Sequence, residues 1–168
     1  MPMSSFALFF SDYAMCFLFV ETMTKMPCML YICGMTAIEK FRSDVERSIK
    51  HNRAENNGRY DAGKACDYIQ NLFVRNCVVS SGIARAIVFY WRDSYIDRSE
   101  DFANEPTSEN IDRLCAFLSF LNGADEGEEI LSEDDLHELS DAIDDEAETM
   151  PLEQLQTLMG KLVDRGAL

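Results

Sequence analysis

The sequence predicts an all-α protein: a compact bundle of about six helices after Met35, behind an apolar N-terminal extension. Three observations carry that prediction. The mid-chain stretch Ser80–Ile96 repeats Ile83, Ile87, Tyr90, Trp91 and Tyr95 at helical spacing and holds the single Trp of the chain. Segments on both sides of it carry apolar stripes with charges between them, so each can cover a neighbour. Helix-capping residues and Gly- or Pro-containing turns separate these segments, and no repeat is evident along the 168 residues. At 47% hydrophobic residues the chain has enough apolar material for a sizeable core and does not read as disordered. The domain reading is therefore an extension over residues 1–34 and a single helical domain over residues 35–168.

Residues 1–34 are rich in Met and Phe. No basic segment precedes Phe6–Phe10 and no small-residue cleavage site follows Val20, so a secretory signal fits poorly. Asp12, Glu21 and Lys25 break the apolar run below the ~20 residues that span a bilayer. Three readings fit: an upstream extension ahead of Met35, a packed hairpin, or a membrane segment. Membrane contact is expected only if this segment belongs to the native protein and is exposed.

Thr36–Asn52 places Ile38, Phe41, Val45 and Ile49 on one helical face. Ala54–Gly58 is a turn whose Asn-Gly pair suits positive φ. Arg59–Cys77 is the next helix, with Ala65, Ile69, Leu72, Phe73 and Cys77 inward, although Val74–Val79 also suits a short strand. The apolar Ser80–Asp97 helix follows, then a charged loop over Arg98–Pro106. Thr107 or Ser108 caps a helix with Ile111, Leu114, Cys115, Phe117 and Leu118 inward, ended by Asn122-Gly123. Ala124–Leu131 is an acidic connection. Ser132 with Asp135 forms a capping box using Asp, ahead of a stripe of Leu136, Leu139 and Ile143. Pro151 starts the last helix, in which Leu152, Leu155, Leu158, Met159, Leu162 and Val163 are expected to be buried, and Gly166 stops it.

Charge is distributed unevenly. The net charge is −15, yet residues 99–168 alone carry 20 acidic and only 3 basic side chains. Asp125–Glu148 holds 13 of the acidic residues and no Lys or Arg. Such a field repels nucleic acid, which argues against direct nucleic-acid binding, and attracts basic surfaces. Arg42, Arg47, Lys50, Arg53, Arg59 and Lys64 form a modest basic set, expected to pair internally with the acidic half. The six cysteines form no CxxC and no disulfide framework, which fits a reducing, cytoplasmic setting.

The chemical motifs are incomplete. Gly58–Ala65 fits GxxxxGK, but Ala65 stands where a phosphate loop needs a hydroxyl for magnesium, and no buried strand precedes it. Asn122–Glu133 can be laid on a twelve-residue calcium loop, with Gly127 sixth and Glu133 twelfth, yet Ala124 occupies a ligand place. His51 and His137, the two histidines, neighbour no Ser or Cys nucleophile in sequence. The residues thus assign no catalytic group, metal site or cofactor.

The favoured function is a non-catalytic acidic interaction protein that docks on a basic protein or protein complex, as an inhibitor or nucleic-acid-mimicking decoy. Its expected contact residues are Asp125, Glu126, Glu128, Glu129, Glu133, Asp134, Asp135, Glu138, Asp141, Asp144 and Asp145. The alternative is a helical domain that binds a small molecule or divalent cation, even an enzyme, through a cleft beside Tyr90, Trp91, Arg92 and Tyr95.

Overall fold

The computed structural model describes residues 35–77, 79–96, 105–124 and 127–167, all within the unit Met35–Leu168. The expectations for residues 1–34 and for most of the Arg98–Pro106 loop lie outside the described residues. The architecture is all-α, with six α-helices and, among the described residues, no strand. They are α1 (Ala37–Glu55), α2 (Ala62–Asn76), α3 (Ser81–Asp93), α4 (Ser108–Leu121), α5 (Glu133–Glu146) and α6 (Leu152–Asp164). Two single-turn 3-10 helices, Glu128–Ile130 and Ala147–Thr149, flank α5.

Local chemistry explains most of the boundaries. Thr36 caps α1 in a capping box with Glu39, and Ser132 caps α5 in one with Asp135. Thr107 caps α4 with Asn110 in the reciprocal role. Asn57 and Gly58 take the positive φ that turns the chain out of α1, at 56° and 83°. Helix α2 starts later than its pattern suggests because Asp61 takes the cap, accepting from the Lys64 amide. The GxxxxGK stretch is therefore a turn followed by the first turn of a helix. Asn52, buried near the end of α1, fixes this corner: its side chain donates to the Asp61 carbonyl at 3.1 Å and accepts from the Asp61 amide at 2.8 Å. The strand alternative for Val74–Val79 gives way to helix as far as Asn76.

Helix α1 packs on α2, α2 on α3, and α3 on α5, while α4 lies against α1 and α3. The most enclosed element is α4, where every residue from Leu114 to Leu121 is buried. A helix that is apolar on all sides has to be covered on all sides. Helix α3 shares the core through Ile83, Ala84, Ile87, Val88 and Trp91, all with no exposed surface. The Trp91 indole N–H donates to the Asn110 carbonyl of α4 at 2.6 Å. Helix α6 departs from expectation. Leu158 and Leu162 are buried, but Leu152 is 69% and Val163 59% exposed. Its apolar arc is wider than the surface that α5 and the end of α4 offer it.

Candidate functional site

The acidic face is built on α5. On an ideal helix, Glu133, Asp134, Glu138, Asp141, Asp144 and Asp145 all fall within an arc of roughly 140°, opposite Leu136, Leu139 and Ile143. The structure bears this geometry out. Leu136, Leu139, Ala142 and Ile143 are buried, Glu138 is half-buried and the other five carboxylates are exposed. Glu129 and Glu148 extend the exposed acidic surface at either end. Crowding acts on Glu138, whose carboxyl is raised by partial burial and then by the charge of Asp141.

Asp135, expected among the contact residues, is not on this face. Its side chain is 1% exposed and sits in an ion pair with Arg113 of α4. Arg113 Nε donates to both carboxylate oxygens at 2.9 and 3.0 Å, and Nη2 donates to the first. The Ser132 amide donates to Asp135 Oδ2 at 2.9 Å. Burial raises this carboxyl, but the Arg113 bonds, the Ser132 bonds and the guanidinium charge outweigh it, and its pKa is lowered. Arg113 also reaches Ser94 Oγ at 3.1 Å and Tyr90 Oη at 3.4 Å, so the pair ties α3, α4 and α5 together. Asp135 is therefore engaged within the fold. Glu146 is likewise engaged. Ser80 Oγ at the start of α3 and Thr149 Oγ1 both donate to it at 3.2 Å, in space that a side chain at Gly82 would occupy. Asp125 and Glu126 lie outside the described residues, and Glu128 lies in the 3-10 turn before α5.

The basic residues do pair internally, and two of them, Arg42 and Arg53, reach the acidic half at Asp112 and Glu105, though none of these pairs involves α5. Arg42 meets Glu46 and Asp112, Arg47 meets Asp44, Arg53 meets Glu105, and Lys64 meets Asp61. Each carboxylate belongs to the α1–α2 region or to α4 and the chain just before it. Among the described residues, no Lys or Arg forms an ion pair with the six carboxylates of the α5 arc. The sequence offers no local cation either, since Lys and Arg are absent from Ala124 to Gly160. Among the described residues, the acidic face is thus uncompensated.

The four residues of the alternative site have separate roles. Trp91 is core. Tyr90 packs edge-on to Phe117 and hydrogen-bonds to Arg113. Arg92 binds Asp93 and lies over the Phe89 ring at 4.7 Å. The Tyr95 hydroxyl lies 3.2 Å from that of Tyr60, and its ring packs against Trp91. Burial pushes the Tyr60 phenol up to about 12 and raises Tyr95 as well. A cavity of about 310 Å³ lies elsewhere, between the end of α4 and the start of α6, lined in part by Leu121, Gly123, Pro151 and Leu158.

His51 lies 3.2 Å from Glu55 on α1, and His137 is exposed on the acidic arc. Cys66, Cys77 and Cys115 are free thiols, each with its pKa raised, chiefly by burial. Among the described residues, no group of three His, Cys, Asp or Glu is placed to hold a metal ion, and no helix is long and apolar enough to cross a membrane. No family model, curated protein or solved structure matches the chain.

Proposed function

We propose that the protein is a non-catalytic acidic module that docks on a basic protein surface through the outward face of α5, as an inhibitor or decoy. The supporting observation is the uncompensated arc on that helix. Leaving out the buried Asp135, six carboxylates lie from Glu133 to Asp145, thirteen residues spanning about 18 Å of helix. Their mean axial spacing of about 3.6 Å is close to the roughly 3.4 Å per charge of one DNA strand. A basic groove shaped for a phosphate backbone would meet a similar linear charge density, on a scaffold already rigid before binding. The like charges are held together by the buried face of α5, at a cost of about 0.2–0.5 kcal/mol for each i,i+3 or i,i+4 pair. A reducing, cytoplasmic setting belongs to the same proposal, supported by the free thiols of Cys66, Cys77 and Cys115 among the described residues.

The test is affinity capture from host lysate with the full chain, in parallel with the variant Asp134→Asn/Asp141→Asn/Asp144→Asn/Asp145→Asn. A basic protein retained at low salt, released at high salt and missing from the variant is the expected result. Retention of the same proteins by the variant would refute the proposal. Asp135 is left intact, so that loss of binding cannot arise from loss of fold.

A further inference from the structure

Helix α6 carries a second, different surface. Looking down its axis, Met159, Leu152 and Val163 fall within an arc of about 40°, with Gln156 and then Gly160 beside them. Leu152 and Val163 are exposed and Met159 is half-buried. The next positions around the helix are Glu153 and Asp164, both exposed, so an acidic edge runs along the open side of this apolar stripe. On its other side Leu158 and Leu162 are buried and Lys161 turns inward, donating to the Ala124 carbonyl at 3.2 Å and lying over the Phe120 ring at 5.3 Å. Gly160 has open space where a side chain would project, which leaves room for a close helical neighbour.

From this pattern we infer that α6 is the docking site for a basic amphipathic helix of the partner, its apolar face on Leu152, Met159 and Val163 and its Lys or Arg residues along Glu153 and Asp164. Charge selects this occupant over a second copy of the chain. An antiparallel two-fold pairing through α6 would set the Glu153–Asp164 edge against its own copy and bring together two chains of net charge −15. A helix with an apolar face and basic flanks meets both halves of the surface. The inference rests on the proposed docking function and adds the kind of element that the partner supplies.

The experiment titrates the full chain with two synthetic peptides of equal length and positive charge, followed by fluorescence anisotropy. One is a Lys/Leu peptide patterned as an amphipathic helix; the other is a Lys/Ser peptide with no apolar face. The amphipathic peptide is expected to bind at least tenfold more tightly. Leu152→Ser/Val163→Ser should abolish that tenfold preference and keep the weaker binding of the Lys/Ser peptide. Equal affinities for the two peptides, or a preference that survives the double substitution, would overturn this inference and leave the acidic docking reading standing. Failure of both peptides to bind would overturn both. Sedimentation of the free chain supplies the remaining outcome: a dimer dispersed by Leu152→Ser/Val163→Ser would assign the stripe to a second copy and overturn the inference.

Discussion

Replacing Arg113 with Ala removes the cation that makes the buried Asp135 carboxylate tolerable. At the 2.9 Å separation of Arg113 Nε and Asp135 Oδ1, and with an effective dielectric near 20, the gross attraction is about 6 kcal/mol. Desolvating a carboxylate that is 1% exposed consumes much of this, so the net worth of the pair is small. Removing one partner is another matter, because the remaining charge stays buried. Arg113→Ala is therefore expected to destabilise by about 3–5 kcal/mol. Asp135→Asn should cost less, about 1–2 kcal/mol, because the 22%-exposed Arg113 side chain can turn towards water and the Asn oxygen can still accept from Ser132. Urea unfolding followed by far-UV circular dichroism measures both.

The pH dependence separates charge from packing. Asp135 has a lowered pKa, so in the wild type its contribution is present above the unfolded carboxylate value, near 3.9, and is lost as pH falls through the folded value. In Arg113→Ala the same carboxyl is raised by burial, and protonation then favours the folded state. The gap between variant and wild type should narrow from pH 7 to pH 3.5. Two single variants within about 0.5 kcal/mol of the wild type, or a gap that does not change with pH, would refute the reasoning.

Three further outcomes follow from the same geometry. Asn52→Ala leaves the Asp61 amide and carbonyl without their side-chain partners and is expected to cost about 1–3 kcal/mol in the same urea titration. Ser119 is buried, and among the described residues its hydroxyl has no hydrogen-bond partner, so Ser119→Ala should be neutral or stabilise by up to about 1 kcal/mol. Because the Glu138 carboxyl is raised, its contribution is fully present below the ordinary value of 4.5 and is lost as pH rises through the folded value. Glu138→Gln should therefore raise the urea midpoint at pH 7, by about 0.2–0.5 kcal/mol in stability, and lose that advantage near pH 4.

The helices were legible because their signals are local. Thr36 with Glu39, Ser132 with Asp135, and the Asn57-Gly58 turn act over at most four residues, and the stripes Phe41–Val45–Ile49 and Leu136–Leu139–Ile143 fall on buried faces as their spacing requires. What escaped the sequence was pairing at a distance. Asp135 already had a complete local role as a capping residue, so nothing in its neighbourhood pointed to Arg113, 22 residues earlier. The Asn52 clamp joins residues nine apart across a turn, and Trp91 reaches Asn110, 19 residues further on. Helix α6 failed for another reason: its periodicity shows that it has an apolar face, but how much of that face is covered depends on the breadth of its neighbours. The full burial of α4 had a visible sign in its run Leu114–Leu121, apolar but for Ser119, which the aromatic richness of α3 overshadowed.

The shallow seat of α6 also shapes how the molecule opens. Only Leu158 and Leu162 anchor the helix by complete burial, whereas α4 is enclosed over two full turns. Its backbone amides should then exchange with deuterium through local opening long before those of α4, which require global unfolding. A helix that detaches this readily sets a timescale of its own at the edge of a slowly exchanging core. A ligand that gripped it would register as slowed exchange confined to residues 152–164, even where no atom of the core had moved.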